Sequence, residues 1–344
     1  MEHLLKVDQL KVNFKTYGGE VKAVRDVSFH VDQGEIVAIV GESGSGKSVT
    51  VQSIMGLIPT PPGMIKGGSI HFEGKNLLAL SKRQMRKIKG SKIGMIFQDP
   101  MTSLNPTMKV GKQIAEALIT HRHLSKADAK NKAVEMLKLV GIPNPEGRSE
   151  QYPHEYSGGM RQRAMIAIAL ACSPDLLIAD EPTTALDVTI QAQVLEVMKE
   201  LQKEMNTAII LITHDLGVVA ETAQRVLVMY GGVVVESAPV MDLFDNPRHP
   251  YTWGLLQSIP DTDTSEKSRL VPITGSPPDL FSPPKGCPFA PRCKYAMDIC
   301  LEEMPGDYDI SDDHTAKCWL NDERAPQLEE FARLGETENA GKLG

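Results

Sequence analysis

Residues 41–48 read GESGSGKS, a complete G-x-x-x-x-G-K-[ST] match that follows a strand-like apolar run, EIVAIV at 35–40, and opens a helix-like stretch. This pattern does phosphate chemistry. Glycines at 41, 44 and 46 let successive backbone N–H groups turn inward on an anion at a helix N-terminus, whose dipole already favours negative charge. Lys47 adds a point charge for the β and γ phosphates, and the Ser48 hydroxyl is placed for Mg²⁺. The expected nucleotide contacts are therefore Gly41, Glu42, Ser43, Gly44, Ser45, Gly46, Lys47 and Ser48, with Thr50 in the helix behind them. An acidic element complements the loop: LLIADEP at 176–182 is an apolar strand ending in Asp180, suited to hold Mg²⁺ through water, with Glu181 directly after it. A carboxylate beside the metal carboxylate can orient or deprotonate an attacking water, a role worth about 10² to 10⁴ in rate.

A second chemistry resides in GCPFAPRCKYAMDICLEEMPGDYDISDDHTAKCW at 286–319, where Cys287, Cys293, Cys300 and Cys318 are spaced C-x5-C-x6-C-x17-C. Four thiolates satisfy the four irons of one [4Fe–4S] cluster, and the spacing lacks the close cysteine pairs of structural zinc. Cys287 is also followed by a proline, as cluster cysteines often are. One cluster on these four cysteines is the expectation, with zinc as the alternative and disulfides disfavoured in a reducing cytosol. Its expected role is structural, because the proline-rich surroundings offer few apolar residues to bury and a metal centre could staple them. Cys172, set among apolar residues, reads as inert core.

Positioning these groups takes a large fold. At 344 residues the chain allows about two domains, or one large domain with an appendage. Hydrophobic residues at 41% and charged residues at 24% are globular values, which exclude a fibrous repeat or a disordered chain. A formal charge of −7 gives no basic footprint for nucleic acid, so no nucleic-acid partner is expected, and the basic run KRQMRKIKGSK at 82–92 reads as a solvated face. The N-terminal MEHLLKVDQLKV lacks a basic segment followed by an apolar one, and no run approaches the roughly 18 apolar residues of a spanning helix. The chain itself is expected to stay in the cytosol.

Strand-like runs at 35–40, 93–97, 176–180 and 208–213 alternate with helix-like periods, the pattern of an α/β fold. Between the last two, Ile190, Val194, Val197, Leu201 and Met205 recur three or four apart and predict one apolar helical face over 188–205. VLVMYGGVVVES predicts a hairpin turning at Gly231 and Gly232. Residues 110–145 read as a helical insertion, and proline density rises past about 240, predicting a loop-rich extension whose last twenty residues fray.

YSGGMRQRAMIAIAL, starting at Tyr156 shortly before the acidic strand, completes a resemblance to the ABC-type ATPases, whose signature is Ser-Gly-Gly usually followed by Gln. Here Ser157, Gly158 and Gly159 match and Met160 departs, which matters little because the family's phosphate contacts come from the serine hydroxyl and the glycine N–H groups. The resemblance implies a P-loop NTPase core, with a RecA-like sheet, an antiparallel β subdomain and a helical signature subdomain at about 99–158, all within residues 1–240. Residues 241–344 would be the extension with the four-cysteine site. Gln98 matches the Q-loop glutamine that senses the γ-phosphate and, with Ser48 and Asp180, the Mg²⁺. Ala185, Leu186 and Asp187 match the D-loop at the dimer interface, and His214 in LITHD matches the switch histidine. Tyr17 matches the aromatic that stacks on adenine, a contact worth about 1 to 3 kcal/mol by analogy with other base stacking; Phe14 is its rival. Taken singly each of these has a bland structural reading, but their order over the chain makes coincidence negligible. In the family, the signature of one subunit closes over the phosphate loop of another.

FQDPMTSLNPTMKVG, YPHEYSGGMRQRAMIAIAL and NPRHPYTWGLLQSIP further resemble the ATPases of bacterial dipeptide and oligopeptide importers, from residue 4 to about 320. Nickel importers of the same group share these features. Members with a matching four-cysteine extension look like cluster binders. The resemblance implies ATP and Mg²⁺ as cofactors and a second, related but different ATPase chain as partner. Two transmembrane permease subunits and an extracytoplasmic peptide-binding protein would complete the assembly at the cytoplasmic face of the membrane. Soluble ABC ATPases acting on DNA or ribosomes typically carry coiled-coil or zinc insertions or tandem cassettes, whereas this sequence resembles a single cassette with an acidic balance, and an efflux ATPase is disfavoured because the C-terminal extension resembles the importers'.

Overall fold

The computed structural model describes residues 3–98, 103–183, 188–258 and 272–326. Its strands in chain order are β1 (Leu5–Thr16), β2 (Gly19–Val31), β3 (Ile36–Val40), β4 (Gly63–Phe72), β5 (Lys75–Asn76), β6 (Ile93–Ile96), β7 (Leu176–Asp180), β8 (Ala208–Ile212), β9 (Arg225–Tyr230), β10 (Val233–Pro239), β11 (Tyr308–Ser311) and β12 (His314–Ala316). They form an antiparallel sheet in the order β2-β1-β4-β5 and a larger one in the order β11-β12-β10-β9-β3-β8-β7-β6. All five residues of β3, β7 and β8 are buried, as continuous apolar runs must be when both faces of a parallel sheet are covered. The predicted hairpin forms between β9 and β10, with Gly231 and Gly232 both at positive φ.

Register decides where the chemistry gathers. Ile39 of β3 and Asp180 of β7 both pair with Ile212 of β8, and Ile96 of β6 pairs with Ala179 of β7. The parallel strands therefore end level, so whatever follows β3, β6, β7 and β8 emerges along one rim. The carboxyl rim of an open parallel sheet is where such folds bind ligands.

Helix Val188–Met205 buries Val194 and Leu201 fully and packs Ile190, Val197 and Met205 partly, the face expected from its periodicity. Full burial of such a side chain contributes about 1.5 to 3 kcal/mol. The helical insertion consists of Val110–Arg122, Lys126–Leu139 and Pro145–Ser149, and Gly158–Leu170 leads from it back to the sheet. Its buried Ile114, Ala133 and Leu137 join one core with Leu177 and Ala179 of β7, so the subdomain is continuous with the sheet. The basic run opens with the capped helix Lys82–Ile88, whose basic residues are exposed while Met85 is buried and Ile88 half-buried against the core. Cys172 is buried core as expected, its thiol held further in the neutral form by burial.

The extension is loop-rich over 272–326 as expected, but short regular elements tie it to the sheet. Helices Val240–Asp245 and Pro250–Leu256 come first, and β12 then pairs with β10 through Glu236↔Ala316 and Ser237↔Thr315, so the extension widens the ATPase-side sheet. The organising group is Glu236, wholly buried in its side chain. Its carboxylate accepts from Arg248 N at 2.5 Å, His249 N at 3.0 Å, Thr252 Oγ1 at 2.5 Å and His314 Nε2 at 2.9 Å. A buried carboxylate persists only with such partners, which is why proline-rich chain is held in place here. These donors lie 12 to 78 residues away, and no local pattern announces them.

Candidate functional site

β3 delivers the loop at 41–46 to the N-terminus of helix Lys47–Ile54. Two glycines are required by close approach as well as by positive φ. A Cβ on Gly41 would stand 2.1 Å from the Met229 carbonyl oxygen, and one on Gly46 would stand 2.6 Å from that of Ala23. Lys47 is buried, its Nζ donating to the Gly41 and Glu42 carbonyls at 2.7 and 3.0 Å, and burial lowers its pKa. Ser45 Oγ is buried without a hydrogen-bond partner, an orphan that an anion in the loop would satisfy. Thr50 is fully buried and donates to the Gly46 carbonyl at 2.9 Å, so the structure makes it a brace of the loop instead of bringing it to the nucleotide side.

The other strand ends converge on this loop. Ser48 Oγ donates to Asp180 Oδ1 at 3.0 Å, joining the two expected Mg²⁺ contacts. Gln98, two residues past β6, donates from Nε2 to Glu181 Oε2 at 2.9 Å, and His214 Nδ1 stands 3.9 Å from the same oxygen. Glu181 has φ 49°, a left-handed conformation costing about 1 to 3 kcal/mol for a residue of its kind, and its N–H donates to the Ile212 carbonyl at 3.0 Å. Strain of this sort persists where surrounding bonds over-determine it, and here it aims the carboxylate at Gln98 and His214.

Asp180 carries a raised pKa, chiefly because burial penalises its charge; Ser48 and Lys47 oppose this and Glu181 adds to it. The folded chain thus holds this proton more tightly than the unfolded chain. The charged carboxylate is a stability penalty above the folded pKa, relieved as pH falls through it. Asp180→Asn is therefore expected to stabilise the nucleotide-free chain by about 0.5 to 2 kcal/mol at neutral pH while abolishing Mg²⁺-dependent hydrolysis. Thermal melts of both proteins at neutral and acid pH check this: the gap should narrow in acid, and a lower melting temperature for the variant at neutral pH would refute it.

Ser157 caps helix Gly158–Leu170, its Oγ accepting from Met160 N at 3.3 Å, and Ser157 and Gly158 are exposed at that helix N-terminus. Tyr17 is fully exposed at the β1–β2 turn, whereas Phe14 packs against the core of the antiparallel sheet, which leaves Tyr17 the free aromatic. Asp187, Ala185 and Leu186 lie outside the described residues, as do 99–102 after Gln98 and everything from 327 onward. Several contacts escaped sequence reasoning. Gln162 in the signature helix donates to the Pro182 carbonyl next to Glu181, and Gln191 donates to Asp215, which caps helix Leu216–Thr222. A polar residue on a helix carries no local mark of such distant partners.

Cys287, Cys293, Cys300 and Cys318 do come together, lining one cavity of about 10 Å³ with His249 and Phe289. Burial pushes the Cys287 thiol up to about 11 and raises Cys293 and Cys318 too, with neighbouring thiols adding to each. Tyr251 N donates to His249 Nδ1 at 3.1 Å, which leaves the ring proton on Nε2, 4.0 Å from Cys287 Sγ. Among the described residues, however, the group whose ligand atoms all lie within 4.8 Å of one another is His3, His30 and Asp32, so no three of the four sulfurs close to that distance. Zn–S bonds of about 2.3 Å would bring tetrahedral sulfurs to about 3.8 Å, so the zinc alternative finds no closed site. The expected cluster likewise has its four thiols around one cavity but not gathered as a finished ligand shell. The His249 N–H faces Cys287 from the same pocket.

Comparison with known proteins agrees with this geometry. The ABC transporter family matches residues 24–184, and the oligopeptide/dipeptide transporter C-terminal region matches 235–300. The oligopeptide transport ATP-binding protein OppD of Bacillus subtilis (strain 168) is 62% identical over 326 residues, 95% of this chain and 91% of that protein. The dipeptide transport ATP-binding protein DppD of the same organism is 58% identical, covering 94% and 97%. Among solved structures, the dimeric post-hydrolysis ATP-binding cassette MJ0796 bound to ADP and Pi superposes with TM-score 0.62 at 27% identity, over 69% of this chain and 98% of that one. The chain belongs to the ATP-binding subunits of the ABC transporter family, in the group that carries the oligopeptide/dipeptide transporter C-terminal region. Among the described residues no helix is long and apolar enough to cross a membrane.

Proposed function

We propose that the chain hydrolyses MgATP to power uptake of dipeptides or oligopeptides through a multi-subunit importer. The carrying observation is the convergence of Ser48, Asp180, Gln98, Glu181 and His214 at level strand ends beside the loop at 41–48. The loop from Gly41 to Ser48 holds the phosphates, Ser48 and Asp180 hold Mg²⁺ with Gln98 nearby, Glu181 activates water, His214 meets the γ-phosphate and Tyr17 stacks on adenine. Ser157, Gly158, Gly159 and Met160 serve a nucleotide held mainly by a second ATPase subunit, with Asp187 at the interface. The similar cassette solved as a dimer with ADP and Pi supports that arrangement. Residues 1–240 form the ATPase unit, with the helical part at about 99–158, and 241–344 the extension.

The partner ATPase is a related but different chain, and two transmembrane permease subunits form the channel. An extracytoplasmic peptide-binding protein delivers substrate, and the ATPases sit peripherally at the cytoplasmic face. Peptides are favoured over nickel because the matched C-terminal region and the most similar relatives carry peptide names. Uptake of labelled dipeptides, longer peptides and nickel by a deletion strain tests this, and loss of nickel uptake alone would overturn it. Cys287, Cys293, Cys300 and Cys318 would hold one [4Fe–4S] cluster, which when bound cross-links four segments of the extension. Support comes from the four thiols lining one pocket and matching in number the four irons of such a cluster.

The segment after Gln98 is expected to receive a helix of the permease. Leu104 is buried in the core, so a clean test replaces residues 101–103 with alanine and leaves Leu104 in place. Transport and substrate-stimulated hydrolysis should fall several-fold with ATP affinity held within about twofold; parental transport would count against the coupling role.

A further inference from the structure

The second residue of the phosphate loop is an acid, and a carboxylate there opposes the polyphosphate the loop exists to hold. The structure resolves the conflict from the far end of the chain. Arg292, between Cys287 and Cys293, reaches Glu42 with Nη1 at 2.7 Å from Oε2 and Nη2 at 3.0 Å from Oε1, the parallel fork that binds carboxylates most specifically. A guanidinium has five N–H donors, and here each has an acceptor: besides the fork, Nε donates to the Thr274 carbonyl at 2.9 Å, Nη1 to the Tyr230 hydroxyl at 3.0 Å and Nη2 to the Ile273 carbonyl at 3.0 Å. The Arg292 side chain is 5% exposed. Gly275, at φ 86°, gives its stem passage, since a Cβ there would stand 3.3 Å from Arg292 Cγ. Tyr251, on helix Pro250–Leu256 of the same extension, accepts the Glu42 N–H at 2.8 Å.

We infer that Arg292 is a positioning residue for ATP binding: it neutralises Glu42 and, with Tyr251 holding the Glu42 N–H, fixes the start of the phosphate loop, so the cysteine-bearing extension sets the loop's charge and shape without touching nucleotide. This rests on the reading of residues 41–48 as the nucleotide site. A fully satisfied, buried, bidentate arginine is not a chance surface pair, because exposed pairs contribute little and are seldom so complete. Removing it does two things. It frees the loop start, and it leaves an uncompensated negative charge beside the phosphates.

The test is equilibrium binding of MgATP to the full chain, with steady-state hydrolysis in the assembled transporter, for Arg292→Ala, Arg292→Lys, the double variant Arg292→Ala with Glu42→Gln, and Lys47→Ala. Arg292→Ala should weaken ATP binding about tenfold and raise KM in step, with kcat within about twofold, since hydrogen bonds to charged groups carry roughly that weight. Lysine should restore only part of the affinity because it lacks the fork. The double variant should recover most of it, as the unpaired carboxylate is gone, a rescue that mere damage to the extension would not produce. Parental affinity in Arg292→Ala, or a double variant no better than the single, would overturn the inference. Lys47→Ala should lose binding outright; if it binds like the parent, the nucleotide-site reading itself fails, and the positioning role with it.

Discussion

Glu181→Gln is expected to bind ATP as the parent does and to hydrolyse it at least about a hundredfold more slowly, the loss typical of a missing general base. The substitution is nearly isosteric, and a glutamine oxygen can still accept from Gln98 Nε2 where the carboxylate now does. The strained φ of 49° is no worse for glutamine than for glutamate, so the backbone at 181 should hold. What disappears is the capacity to take a proton from water between the Mg²⁺ ligands and His214. Binding survives because its contacts belong to the loop at 41–48, and ATP should then trap the closed ATPase pair, visible by size-exclusion chromatography. Turnover near the parental rate within the assembled transporter would show that another group activates water.

The second large effect concerns the thiols. Anaerobically purified chain should be brown, with a broad absorbance shoulder and about four irons per chain, and Cys293→Ser should lose both colour and iron. Segment 272–326 has few regular elements of its own, and its hold on the sheet runs through β12, Glu236 and the Arg292 fork. Stripping iron with a chelator should therefore expose this segment to protease before the sheet core unfolds, because metal binding and local folding are linked. Colourless protein with one zinc per chain would overturn the cluster and keep the ligands; protein with no metal, equally resistant to protease, would overturn the site.

The sequence by itself determined the parts that local chemistry dictates. Short, continuous apolar runs bounded by turn residues read as buried strands, and β3, β7 and β8 are such strands, parallel and covered on both faces. The glycine spacing at 41–46 can only be a loop that lets backbone approach, and the period of Ile190, Val194, Val197, Leu201 and Met205 can only be one helix face. Those signals lie within a few residues of each other, so a linear reading recovers them. The same holds for Asp180 and Glu181, adjacent in sequence.

Tertiary structure alone decided what depends on partners far apart in the chain. The meeting of Ser48 with Asp180 and of Gln98 with Glu181 follows from strand register, which no single strand encodes. Thr50 looks like a ligand in sequence and is a brace in space, because the first helical turn rotates it toward the Gly46 carbonyl. The extension reads as loops because prolines break helical and strand periods locally, yet it closes onto the sheet through Glu236, a buried carboxylate whose cost is met by donors from two separate stretches, Arg248 to Thr252 and His314. Arg292 and Glu42 stand 250 residues apart, and their pairing exists only because β9 and β10 carry the extension back to the mouth of the phosphate loop.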